Sequence, residues 1–186
     1  MTTLETAHPA VRPLLEDIQR RSLAPDRLLN IHAQMAFAPA VLAGYAGMRR
    51  ALEELSTLDV RTRSAIMLVA SASNGSDYHI AIQVLLARRA GWAPTQISAM
   101  RDDTFDSDPR LVRLFDVVRQ ATHNIGRVDE TTWNAAVAAG WTDTQLAEAF
   151  ANITLSTMVD AFARFAETPF DVPDTLPSGA PLRRAS

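Results

Sequence analysis

Residues 64–83 read SAIMLVASASNGSDYHIAIQ. From Ser64 to Ser73 every position is apolar or small, so a helix here has no solvated face and must be surrounded by other elements. Asn74-Gly75 supplies the residue types that stop a helix and reverse the chain. Ser76-Asp77-Tyr78-His79 then opens another helix, placing a hydroxyl, a carboxylate, a phenol and an imidazole on a first turn beside a buried helix. Polar groups in that position need partners or a ligand, because an unpaired buried polar group is costly.

Outward from this hairpin, apolar residues recur at steps of three and four, with no convincing period-two run, so the chain is expected to be all-α. The expected helices run from Pro9 to Ser22, from Ala24 to Phe37 with Pro25 in the first turn, and from Pro39 to about Leu55. Asp59 caps the buried helix, which ends at Asn74-Gly75, and the helix after it stops at Gly91. Pro94 starts a short helix, Asp108-Pro109 a longer one reaching Asn124, and Asp129 caps one that Gly140 closes. Thr142 and Gln145 fit a capping box for the last helix, which ends before Pro169. One internal repeat stands out: Ala90-Gly91-Trp92 with Thr95-Gln96-Ile97 matches Ala139-Gly140-Trp141 with Thr144-Gln145-Leu146. It reads as a duplicated helix–turn–helix unit, two copies being too few for a solenoid. The two Trp residues are expected to pack at helix junctions.

A length of 186 residues suits one domain, expected over residues 1–170, and 47% hydrophobic residues suffice for a full core. Residues 171–186, rich in Pro and polar residues, carry no helical stripe and are expected to be disordered or laid across a neighbouring subunit. A net charge of −3 and scattered arginines give no nucleic-acid footprint, and no apolar run is long enough to span a membrane. Without a basic-then-apolar leader, a cytoplasmic location is expected. The absence of Cys removes disulfides, thiolate metal sites and cysteine nucleophiles together.

Leu58, Arg61-x-Arg63, the Ile66–Asn74 run, Tyr78 and Ala90-Gly91 with Ile97, in that order, resemble the carboxymuconolactone decarboxylase and alkylhydroperoxidase D family. Thr122-His123-Asn124, Val128-Asp129, Ala139-Gly140-Trp141 and Asn152 extend the resemblance, which covers roughly Pro9 to Pro173. It implies an all-helical alkylhydroperoxidase D-like fold assembled as trimers or hexamers, and a small-molecule ligand. Thiol peroxidase members carry a Glu, a Cys-x-x-Cys pair and a His four residues later. Those positions fall here on Ser64, Ser76, His79 and Gln83. Peroxide reduction needs a polarisable thiolate and a sulfenic intermediate, which a Ser76 hydroxyl does not provide, so peroxidase chemistry of the family type is excluded. The decarboxylase branch keeps the acid and the His, and this chain departs from that pattern too.

Steps of three and four put Ser76, His79 and Gln83 on one helical face. Ser64 lies about 15 Å back from the turn, level with Gln83. Ser64, His79 and Gln83 are therefore expected to line one pocket, with His79 as general acid or base and Ser64, Ser76 and Gln83 orienting a carboxylate or carbonyl. Tyr78, with Asp77, supports the site from behind. Against this stands a plain reading of His79 as a satisfied polar residue on a half-buried helix. A Ser76–His79 nucleophile pair lacks an evident orienting acid, and His79 with Gln83 makes a poor metal site, so no metal or cofactor is expected. His32 is expected on a helix surface or interface, with covering the pocket as the alternative. Arg61 and Arg63 either attract an anionic ligand or pair with Asp59 or Asp77. Asp102, Asp103, Asp106 and Asp108 lack the spacing of a calcium loop.

These residues leave two functions open. One is an enzyme or binder acting on a small organic acid or lactone, by lyase-like acid–base chemistry if it is catalytic. The other is a catalytically silent oligomeric relative serving as a scaffold or ligand-binding protein. An enclosed cavity reached by His79 separates them.

Overall fold

The structure, a computed structural model, describes residues 1–22 and 26–172. The described residues form helices and connecting turns without a strand: α1 (Arg12–Arg21), α2 (Asn30–Met35), α3 (Pro39–Leu55), α4 (Val60–Asn74), α5 (Asp77–Arg89), α6 (Pro94–Arg101), α7 (Pro109–His123), α8 (Glu130–Ala138) and α9 (Asp143–Phe165). Helix α4 lies at the centre, packed on α5, α7 and α9, as its all-round apolar sequence requires. Its start is fixed by Asp59, whose carboxylate accepts from the Thr62 amide and hydroxyl, each at 2.8 Å. Its end is a left-handed Gly75 at φ 65°, with the amides of Gly75 and Ser76 returning to the carbonyls of Ala72 and Ser71. That closure satisfies the last carbonyls and aims α5 back along α4.

The core falls into two groups of buried side chains meeting at the α4–α5–α9 contact. One gathers Ile66, Leu68, Trp92, Leu114, Phe115 and Trp141; the other gathers Leu15, Met35, Leu42, Tyr78, Leu155 and Val159. The internal repeat is visible in the first group. Trp92 Nε1 donates to the Arg61 carbonyl at 3.0 Å and Trp141 Nε1 to the Arg110 carbonyl at 2.8 Å, each pair 31 residues apart. The guanidinium of Arg61 stacks 3.9 Å from the Trp92 ring and that of Arg110 4.0 Å from Trp141. Gly91 and Gly140 supply the matching left-handed turns at φ 88° and 92°.

Three expectations change. The second helix begins at Asn30, not Ala24; residues 24 and 25 lie outside the described residues, and Leu29 is extended at ψ 145°. The cause is a distant cap: Asp171 Oδ2 accepts the Asn30 amide at 2.9 Å and the Arg27 guanidinium at 3.0 Å. The expected tail is accordingly built into the body at its first residues, with Asp171 held by α2 and α5 and Val172 buried; residues 173–186 lie outside the described residues. The first helix starts at Arg12, because the amides of Val11 and Arg12 close turns on the His8 carbonyl.

The chain entering α4 is fixed from α9. The Glu148 carboxylate accepts from the Ser56 hydroxyl at 2.7 Å, the Thr57 amide at 2.9 Å and the Leu58 amide at 3.1 Å. Hydrogen bonds to a charged group carry about 1.5–3 kcal/mol. Glu148→Ala is therefore expected to lower unfolding stability by about 2 kcal/mol in urea titrations, and an unchanged midpoint would count against the clasp.

Candidate functional site

Helix α9 is apolar along most of its inner face but carries Asn152, Ser156 and Asp160 at four-residue steps, a polar stripe along one side. Packing α9 on α4 and α5 sets that stripe against Ser71 and His79. Asp160 is fully buried and His79 is 2% exposed. Their atoms meet at 2.7 Å, Nδ1 to Oδ1. Asn74 Nδ2 donates to Asp160 Oδ2 at 2.7 Å, and the Ser156 hydroxyl lies at 3.4 Å from the same oxygen. Ser71 donates to the Met67 carbonyl at 2.9 Å, and its oxygen lies at 2.9 Å from both His79 Nδ1 and the Ser156 hydroxyl. Carboxylate, imidazole and hydroxyls form one bonded cluster across α4, α5 and α9.

On the other side of the ring, Gln83 Nε2 lies 2.8 Å from His79 Nε2. An amide nitrogen only donates, so His79 Nε2 is the acceptor and the ring proton resides on Nδ1, where it is given to Asp160. The carboxylate thus fixes both the orientation and the tautomer of the imidazole.

His79 and Gln83 form part of the wall of a cavity of about 490 Å³, together with Ser64, His32, Tyr45 and Asn152. Arg21, Arg49, Arg63 and Arg89 also line it, against Glu53 as the acid among its described lining residues. Glu53 is already engaged by Arg49 at 2.8 Å and Arg21 at 3.3 Å. Arg63 donates to the Leu52 carbonyl, and among the described residues neither it nor Arg61 pairs with Asp59 or Asp77. The cavity therefore has a positive rim over an apolar floor of Leu29, Ile31, Ile82 and Leu155.

The structure thus brings Ser64, His79 and Gln83 to one cavity, although the Ser64 hydroxyl itself donates to the Arg61 carbonyl at 2.8 Å. Ser76 and Tyr78 are placed elsewhere. Ser76 is the N-cap residue of α5 and is buried away from the cavity wall. The Tyr78 hydroxyl donates to Asp171 Oδ1 at 2.7 Å and accepts from the Ile31 amide; burial and the neighbouring carboxylate push its ionisation up. Tyr78 therefore ties α5 to α2. His32 is not on a surface: it is 7% exposed, within the cavity wall. The orienting acid that sequence reasoning missed is Asp160, and the four-residue polar stripe on α9 was the signal for it. Among the described residues no group of three or more His, Asp or Glu is placed to hold a metal ion, and no helix is long and apolar enough to cross a membrane.

Residues 39–120, from α3 into α7, match the sequence model of the carboxymuconolactone decarboxylase family. No curated protein matches the chain significantly. The fold is that of an alkylhydroperoxidase AhpD core. It superposes with a TM-score of 0.80 on an uncharacterized peroxidase-related protein from Ralstonia eutropha JMP134, at 17% identity over 91% of this chain and 89% of that one. A peroxidase-related protein from Silicibacter sp. TM1040 gives 0.75 at 18% identity, with 89% and 88% covered. The debrominase Bmp8, in complex with 2,3,4-tribromopyrrole, gives 0.74 at 13% identity, with 92% and 93% covered.

Burial, with Arg49 and His79 close by, depresses the pKa of His32 from its ordinary 6.5 to about 3. Between those values the unfolded chain binds a proton that the folded chain refuses, so stability rises with pH across this window and is lost as pH falls through it. The His32 contribution has a limiting slope of about 1.4 kcal/mol per pH unit. The stability difference between wild type and His32→Asn, measured by urea titration from pH 7 down, is expected to follow that slope; a pH-independent difference would show that His32 takes up its proton in the folded state.

Proposed function

We propose that this chain, with its alkylhydroperoxidase D-like fold and carboxymuconolactone decarboxylase-like core segment, binds a small organic acid, lactone or related carbonyl compound and transforms it by proton transfer at His79. The observation that carries the reading is the buried Asp160–His79 pair, with the far nitrogen of the ring turned toward Gln83 at the wall of a cavity. A carboxylate on Nδ1 stabilises the imidazolium that forms when Nε2 takes a proton, and holds the ring in the tautomer that makes Nε2 the base. Gln83 shields that lone pair until a substrate proton displaces its amide, which is then free to hold the substrate's oxygen. The arginine rim draws an anionic group to the entrance. A neighbour of this fold holds 2,3,4-tribromopyrrole, and about 490 Å³ is room enough for a small ring of that kind.

The test is a turnover screen on cyclic organic acids and lactones, followed by His79→Ala and Asp160→Asn on whichever compound reacts. Each variant is expected to lower kcat by roughly 10²–10⁴-fold, the range of a general acid–base group, with KM little changed. An unaltered kcat removes His79 from the reaction.

One observation favours a second reading, a ligand-binding protein without chemistry: the Gln83 amide already occupies His79 Nε2. In that case the same compounds bind saturably, none turns over, and His79→Ala leaves their affinity intact.

Thiol peroxidase activity has no place in either reading, since the chain has no Cys. Purified protein supplied with a hydroperoxide and a dithiol reductant is expected to show only the background rate; robust turnover without added metal would overturn this part of the proposal.

A further inference from the structure

The walls of the cavity differ in what a ligand can reach. The polar side chains deeper in are nearly closed off: His79 and Gln83 are 2% exposed and Asn152 1%. Each is also bonded within the protein, Gln83 to His79 at 2.8 Å and Asn152 to the Glu148 carbonyl at 2.8 Å. The accessible lining is of another kind. Leu52 on α3, Met67 on α4 and Leu86 on α5 are half-buried, as is Arg63, and Arg89 is exposed. Helices α4 and α5 run antiparallel from the Gly75 turn, so the first turn of α4, with Arg63, lies beside the last turn of α5, with Arg89. Met67 follows Arg63 by four residues and Leu86 precedes Arg89 by three. Each helix thus sets an apolar side chain on the same face as its arginine, about 5–6 Å further in. The two arginines also hold unspent donors. Arg21 and Arg49 are engaged with Glu53 at 3.3 and 2.8 Å. Arg63 gives one N–H of its five to the Leu52 carbonyl, and the Arg89 side chain has no hydrogen bond or ion pair among the described residues.

We infer that the cavity is a site for an amphiphilic monocarboxylic acid, its carboxylate held between Arg63 and Arg89 at the mouth and its hydrocarbon body lying inward over Leu86, Met67 and Leu52. A guanidinium presents paired N–H groups that match the two oxygens of a carboxylate. Half-buried apolar side chains gain by covering a hydrocarbon, in proportion to the area both remove from water. A second charged end is selected against. Inward of the two arginines the half-buried lining of α4 and α5 is apolar, and Arg49 on α3 is already neutralised by Glu53, so a charge there would leave water without a partner. The inference rests on the reading that the cavity takes an acid, and narrows that acid to one with a single charged end. It requires neither movement of the Gln83 amide nor any step at His79.

The experiment is calorimetric titration of the full chain with butanoate, hexanoate and octanoate, and with 1-octanol and octanedioate as controls. Affinity is expected to rise from butanoate to octanoate by up to about fourfold per methylene, the transfer free energy of one CH₂ group. Octanedioate, the same chain with a carboxylate at both ends, is expected to bind more weakly than octanoate. Arg89 is exposed, so its replacement leaves the core intact. Arg89→Gln is expected to weaken octanoate about fivefold, the upper end for an exposed ion pair, with 1-octanol unaffected, and Arg89→Lys to recover part of the loss. A flat chain-length series overturns the inference, as does octanedioate binding as tightly as octanoate. So does an Arg89→Gln variant that leaves octanoate unchanged or weakens 1-octanol equally. A compound turned over in the screen by a protein that octanoate does not bind overturns the inference and leaves the proposed function standing. Absence of both acid binding and turnover overturns the two together. Octanoate binding that follows chain length and Arg89, in a protein without turnover, supports the inference while removing the chemistry assigned to His79.

Discussion

A carboxylate taken wholly out of water has to be met by donors, and Asp160 obtains them from three helices: Asn74 at the end of α4, His79 on α5 and Ser156 one turn back on α9. Removing any one donor would leave buried charge uncompensated, a larger penalty than the loss of an ordinary contact. The cluster therefore specifies how these helices sit against one another, beyond what apolar packing supplies, since leucines and valines tolerate small slides that a 2.7 Å hydrogen bond does not. The cavity, the ring orientation of His79 and the position of Gln83 all follow from that fixed relation. Apolar burial on both sides of α4 drives the assembly, and the polar cluster selects its register.

Much of this was legible in the sequence because it is written in local signals. Caps at Asp59, Asp108, Asp129 and Thr142, prolines at first turns and the left-handed glycines at 75, 91 and 140 mark helix ends through interactions within a few residues. The start of α2 was not legible, because the residue that caps Asn30 lies at Asp171, and no local pattern announces a partner so far away. The site divides along the same line. Ser64, His79 and Gln83 share a hairpin whose spacing can be counted, so their convergence could be anticipated. Asp160 reaches His79 across 81 residues. Tyr78, one position from His79, points away from the cavity because successive residues on a helix point about 100° apart, and its hydroxyl ties α5 to α2 instead.

The duplication explains how such a site is supported. The Arg–Trp stacks and their indole-to-carbonyl hydrogen bonds occur in both copies with the same spacing, so the scaffold is redundant where it holds helices together. The polar constellation is not duplicated. At the repeat's offset, His79 corresponds to Val128 and Gln83 to Thr132, neither of which belongs to the cavity wall. One copy carries the polar constellation and the other does not, and α9, from the second copy, contributes Asp160 to the first.

The Asp171 clasp has a consequence for the order in which the molecule can assemble. Helix α2 spans six residues, too short to persist alone, and its anchors are contacts with Pro169, Ala166 and Asp171 that close loops of 132 to 141 residues. Loop closure over such separations costs entropy that is recovered only when the rest of the chain is already in place. The side of the cavity built from α4, α5 and α9 therefore forms first, and the segment bearing Leu29, Ile31 and His32 docks last, as a shutter fastened by Asp171. Until that moment the pocket stands open on one side, which makes the docking of Asp171 against Asn30 the event that gives it an inside.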